Sequence, residues 1–290
     1  MSDLIWSVRP ALRRPVLVAA FQGWNDAGDA ATAATEFIEA RFEHSEVARI
    51  DPDEFVDFTS TRPDVRLVDG HMREIEWPAT TITAAHIPGS ERDLVVLQAV
   101  EPAMRWRRYC DAVVEAATAL DASMVITLGS LLADVPHSRA VSISGIGSDG
   151  AVVDRLGFDH TSYEGPTGIV GVLQHACASA GFDSLSLWAS VPHYVAATPN
   201  PKVALALVRA FEGAAGVVID ATELESAAED YERQVSAAVA SDPEVKAFVE
   251  RLESAMDEVT EEADPPENLP SADAIASDFQ KFLRQKGPDS

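Results

Sequence analysis

Val16-Leu17-Val18-Ala19-Ala20-Phe21 leads directly into Gln22 and Gly23-Trp24-Asn25-Asp26-Ala27-Gly28, and Asp29 to Phe42 follows. Six apolar residues in a row predict a strand covered on both faces. The glycine-bounded stretch predicts a turn. The Ala- and Glu-rich stretch from Asp29 to Phe42 predicts a helix, with Asp26 or Asp29 as its N-cap. Strand, loop and helix in that order open an α/β fold.

The same grammar recurs downstream. Val65 to Val68 and Met72 to Trp77 flank Asp69-Gly70, a hairpin signal. Thr81 to Ile87 and Leu94 to Gln98 predict two more strands, and Glu101-Pro102 opens a predicted helix through Leu120, with proline at a tolerated early position. Met124 to Leu128 and Ala140 to Ser144 predict strands. Thr167 to Ala180 predicts a helix entered through Glu164-Gly165-Pro166, and Leu185 to Ser190 another strand. Asn200 and Pro201 suit the N-cap and first position of a helix over Lys202 to Glu212. Strands alternating with helices predict a mixed α/β sheet.

The pattern changes after Asp220. From Ala221 onward, 18 acidic and 6 basic residues give a net charge of −12, of a total of −25. Leu224, Ala228, Tyr231, Val235 and Val239 form one helical stripe. Val245, Phe248, Val249, Leu252, Met256 and Val259 form a second, with Asp242-Pro243 as the break. Asp264-Pro265-Pro266 reads as a linker before a last stripe of Ile275, Phe279, Phe282 and Leu283. The expected organisation is an α/β domain over 1–220 and an all-helical acidic extension over 221–290. Its stripes dock on the parent domain or a sister subunit, or serve as a partner-binding arm.

So negative a surface repels nucleic acid and anionic lipid, so neither is an expected partner. No apolar run approaches the about 20 residues that span a bilayer. The N-terminus lacks a charged region followed by an apolar one, so no signal peptide is expected. Two isolated cysteines, Cys110 and Cys177, fit a reducing cytoplasm.

Two apolar runs end in one tripeptide. Val135-Pro136-His137 follows Met124 to Leu132, and Val191-Pro192-His193 follows Leu185 to Ser190. In an α/β sheet, ligands bind beyond the carboxyl ends of parallel strands. That edge collects Gly23, Asn25, Asp26, Gly28, Glu101, Asp134, His137, Arg139, Glu164, Gly165, His193 and Tyr194. Helix N-termini at Ala27 and Thr167 offer free N–H groups to an anion, and Arg139 offers a guanidinium. His137, His193, Glu164 and Asp26 are the catalytic candidates. The plainer alternative has Asp26 and Asp134 capping turns and Glu101 pairing with Arg105 or Arg139. Gly145 to Gly150 matches the dinucleotide fingerprint, but the helix it would need ends at Gly157. No metal-ligand pair lies on one helix, so no metal is expected, and no Gly-x-Ser-x-Gly elbow follows a strand to present a serine nucleophile; no cofactor is expected.

Phe21 to Gly28, Glu101-Pro102 with Arg105-Trp106, Leu131 to His137, Tyr163 to Ile169 and Leu187 to Val195 together resemble the proteasome assembly chaperone two family. The likeness runs from about Val16 to Asp220, and the acidic tail resembles the actinobacterial branch. The chain departs at Ser138 and Ala140, where that family more often has Thr and Pro. The resemblance implies a three-layer α/β/α, phosphorylase/hydrolase-like fold. It also implies a homo-oligomer, a trimer among the expected forms, and proteasome-related partners. Two functions follow as expectations: a non-catalytic assembly or binding protein, or a hydrolase- or phosphorylase-type enzyme. In the second, Arg139 binds an anion and His137 or His193 acts as acid or base.

Overall fold

In β2 (Val16–Gln22), Val16, Val18 and Ala20 point into one apolar core while Leu17, Ala19 and Phe21 point into another. Strict alternation with every residue buried requires a layer on each side of the strand. The computed structural model describes residues 3–263 apart from His71, Asp149 and Ser162. The strands are β1 (Leu4–Trp6), β2, β3 (His44–Ile50), β4 (Asp64–Val68), β5 (Met72–Glu76), β6 (Thr80–Ala85), β7 (Leu94–Val100), β8 (Met124–Ala133), β9 (Ile143–Gly147), β10 (Asp159–His160) and β11 (Ser184–Pro192). The α-helices are α1 (Ala30–Ala40), α2 (Trp106–Ala119), α3 (Gly150–Leu156), α4 (Ile169–Ser179), α5 (Pro201–Ala215), α6 (Thr222–Ser241) and α7 (Pro243–Ala263).

Nine strands form one mixed sheet in the order β1-β3-β6-β7-β2-β8-β11-β9-β10, and β4 pairs with β5 apart from it. β7, β2, β8 and β11 are mutually parallel, while the flanking β6 and β9 run antiparallel to them. One face is covered by Ala30, Ala34 and Ile38 of α1 and by Val203, Leu207 and Phe211 of α5. The other is covered by Tyr109, Val113 and Ala117 of α2 and by Ile169, Leu173 and Cys177 of α4. The architecture is therefore the three-layer α/β/α expected from the sequence. Cys110 and Cys177 are unpaired and buried, and burial pushes each thiol up to about 12.

Several boundaries differ from the sequence expectation. The helix predicted from Glu101 begins at Trp106, because Arg105 adopts a left-handed conformation (φ 57°) and Ala103 N–H donates to the Phe55 carbonyl. The strand predicted at Ala140 begins at Ile143, and the helix predicted at Thr167 begins at Ile169. β1 and β3 were not legible as strands. The hairpin turn at Asp69-Gly70 and the Asn200 cap are as predicted; Asn200 accepts from Val203 N–H at 3.1 Å.

The helical pair beyond Asp220 is present, with Asp242 as its single-residue joint. The stripe over Ile275 to Leu283 lies outside the described residues. Among the described residues, no helix is long and apolar enough to cross a membrane, and no cluster of three or more His, Cys, Asp or Glu side chains is placed to hold a metal ion.

Candidate functional site: the carboxyl edge of the parallel strands

Because β7, β2, β8 and β11 run parallel, the loops that follow them meet at one edge of the sheet. The predicted residues fall there in two separate groups.

The first group centres on Asn25, which is 2% exposed. Its Nδ2 donates to Glu101 Oε1 at 2.8 Å, and the same oxygen accepts the Ile169 N–H at 3.0 Å. Glu101 therefore caps α4 and ties it to the β2 loop. It does not pair with Arg105 or Arg139; those guanidiniums pair with Glu54 and with acids of α7. Asn25 Oδ1 is buried with no partner among the described residues. Gly23 has φ 131°, and a side chain there would press on Glu101. Gly28 O accepts the Asn200 N–H at 2.8 Å, which seats the start of α5.

Asp26 sits beside this group with a different task. Its Oδ1 accepts the N–H groups of Ala31 (2.7 Å) and Thr32 (3.2 Å), and its Oδ2 the Thr32 hydroxyl. Asp29 precedes α1 in the chain but makes no side-chain cap. Burial raises the Asp26 carboxyl above its ordinary range, against the lowering effect of those bonds. The anion seats predicted at the two helix N-termini are thus occupied by the protein's own carboxylates, Asp26 at α1 and Glu101 at α4.

The second group gathers the doubled Val-Pro-His. β8 and β11 pair in parallel up to Ala133↔Pro192, so the two corners emerge side by side. Tyr194 lies between them, its ring 5.9 Å from each imidazole. The Tyr194 hydroxyl accepts the His137 backbone N–H and contacts Nδ1, both at 2.8 Å. The other ring nitrogen, Nε2, is hydrogen-bonded to Ser236 Oγ on α6 at 3.0 Å. Burial and then the nearby Lys202 cation lower the imidazole's pKa below its usual range. His193 Nδ1 lies 3.1 Å from Asp134.

This second group is where the C-terminal helices dock. Lys202 pairs with Glu232 of α6 at 2.6 Å. Ser138 donates to Glu253 of α7, and Arg139 grips Asp257 of α7 through Nε (2.8 Å) and Nη2 (2.7 Å). That bond to Asp257 raises the guanidinium's pKa. Phe248 of α7 stacks edge-on against His193 at 5.6 Å. Glu164 and Gly165 stand apart: both are exposed on the loop before α4, with no bond to the His137 group among the described residues.

Sequence reasoning missed the partners Lys202, Glu232, Ser236, Phe248, Glu253 and Asp257. A signal was present. Lys202 is the only lysine in residues 1–220, and Glu253 and Asp257 are acids four apart on one predicted helix. If Arg139 holds α7 as described, Arg139→Ala is expected to raise hydrogen exchange of α7 amides several-fold and leave the sheet amides unchanged. Equal protection of α7 in both proteins would contradict it.

The edge also exposes large apolar side chains. Trp24 and Tyr163 are each 66% exposed, Leu132 60%, Met104 43% and Leu131 42%. All five lie in the loops or strand end at this edge.

A family model described as PAC2 family matches residues 20–239. Among solved structures, the chain is similar to the Mycobacterium tuberculosis proteasome-assembly chaperone homologue Rv2125. Identity is 44% over 81% of this chain and 99% of that one, with a TM-score of 0.75. A PAC2 family protein from Streptomyces avermitilis is similar at 43% identity over 81% and 99%, with a TM-score of 0.76. The fold is also that of Pyrococcus furiosus PbaB, described as an archaeal proteasome activator. There the identity is 14% over 81% and 97%, with a TM-score of 0.65. No curated protein matches the chain.

Proposed function

The chain belongs to the PAC2 family, and from that premise we propose that it is a chaperone-type assembly protein that self-associates and engages proteasome-related subunits. In this reading residues 1–220 form the associating domain and residues 221–290 an acidic extension of it, working in the cytoplasm, with a trimer as the first oligomer to test. The observation that carries the reading is the division of labour at the carboxyl edge. Asn25 Nδ2, Glu101 and His137 are bonded within the chain, while Trp24, Met104, Leu131, Leu132 and Tyr163 face outward. Large apolar side chains clustered at one end of a domain mark a protein–protein contact. An acid–base enzyme would need His137 and Arg139 free to meet a substrate, and both are engaged by α6 and α7.

Sedimentation of the purified chain is expected to give a discrete oligomer, and Trp24→Glu with Leu132→Glu is expected to return it to the monomer with its fold intact. Co-purification is expected to recover core-particle subunits with the wild type and not with the double variant. A wild-type monomer at micromolar concentration sinks the self-association. Repeated absence of core-particle subunits sinks the partner assignment.

A further inference from the structure

The two helices of the extension are held by different means. α6 buries Leu224, Ala228 and Val235, and Lys202 and His137 fasten it at Glu232 and Ser236. α7 is attached more lightly. Among its described side chains only Val249 is buried, at 4% exposure. Its ties to the body include Phe248 on His193 and Tyr194, Glu253 on Ser138 and Arg139, and Asp257 on Arg139. Between α6, the first turn of α7 and the loop from Tyr194 to Ala197 lies a groove of about 500 Å³, lined by Tyr231, Val235, Val239 and Val245. The helices therefore do not close against each other at their joint.

The joint is built to let α7 stand alone. Asp242 is extended (φ −121°, ψ 112°), and its carboxylate accepts the N–H groups of Glu244 (2.9 Å) and Val245 (3.3 Å). Pro243 occupies the first helical position, where its missing N–H costs nothing. α7 thus carries its own cap and needs nothing from α6 to start.

We propose that α7 is an exchangeable arm: in the oligomer, the surface of Ser138, Arg139, His193 and Tyr194 receives the α7 of a second copy. The proposal rests on the self-association reading and extends it. The occupant is identified by what sits on that surface in a single chain. A second copy offers the identical helix, so exchange preserves every contact and changes only which chain supplies it. Charge fixes the register. Both the body and the extension are strongly acidic, so an acidic helix is repelled except where Arg139 meets it. Lys202 keeps α6 at home, and the single joint residue sets the point of departure.

The test uses full-length chains. Ser138→Cys and Glu253→Cys variants with different tags are co-expressed, purified together and treated with a short bis-maleimide. The native thiols are buried with pKa values pushed up to about 12, so they stay silent. Exchange is expected to join the two tags in one product at twice the 31.1 kDa chain mass. The chain carrying both substitutions is expected to give intermolecular products rather than an internal bridge. An oligomer whose two tags are not joined overturns the exchange and leaves self-association standing. A monomer in sedimentation overturns both.

Discussion

Gly168→Ala is expected to destabilise the protein by about 3 kcal/mol, combining overpacking of a tight core with disturbance of a buried hydrogen bond. Gly168 precedes α4 at φ −101° and ψ −173°, a conformation open to any residue, so backbone strain plays no part. The obstacle is Asn25. An alanine Cβ would lie 2.2 Å from Asn25 Nδ2 and 2.3 Å from Oδ1, far inside contact distance. Asn25 is packed too tightly to yield, and its amide holds Glu101, which in turn caps α4. Displacing it loosens three segments together. Urea denaturation measures the loss as a shift in midpoint at constant slope. The mechanism is checked in an Asn25→Ala background. There the alanine at 168 meets open space and is expected to cost less than about 1 kcal/mol. An undiminished penalty in that background would place the clash elsewhere.

Asp93→Asn is expected to cost about 2 kcal/mol at neutral pH and almost nothing near pH 2. Asp93 is fully buried. It accepts the Arg13 backbone N–H at 2.7 Å, Arg13 Nη2 at 2.6 Å and His86 Nδ1 at 2.9 Å. Burial alone would raise its pKa. The bonds from Arg13 and His86 outweigh burial and lower it from 3.8 to about 2. A carboxylate whose folded pKa is depressed stabilises the fold above its unfolded value and loses that stabilisation as pH falls to the folded one. The window is therefore about pH 4 down to about 2, and the shift corresponds to about 2 kcal/mol. Asp26 acts in the opposite sense, because its folded pKa is raised and its contribution fades as pH climbs. Subtracting the variant's pH profile from the wild type's isolates Asp93. Parallel profiles between pH 2 and 4 would show that it contributes no such linkage.

The central sheet was readable because its information is local. Val16 to Phe21 and Leu94 to Leu97 are apolar without a break, and Leu185 to Ser190 is interrupted only by small serines, which fits strands buried on both faces. The Asp242-Pro243 break and the Asn200-Pro201 start were readable for the same reason. β3 was not, since His44-Ser45-Glu46-Val47-Ala48-Arg49-Ile50 lacks a period-two pattern and bulges between Glu46 and Ala48. The late start of α2 was also hidden. Nothing near Glu101 reveals that Ala103 bonds to Phe55, far back in the chain. At the edge, the residue set was legible but the bonding was not. His137 and Ser236 are 99 residues apart, and Arg139 and Asp257 are 118 apart. Pairings over such spans follow from the packing of α6 and α7, which spacing along the chain does not encode.

Asp26 and Glu101 fill the two places where α/β sheets ordinarily seat a phosphate. A carboxylate already held at each of those helix starts repels a second anion there. On the proposed reading, the protein's state follows instead from how many copies are present and from the proteins they meet. On that reading, an edge that in other α/β sheets receives a small ligand serves contacts between chains instead.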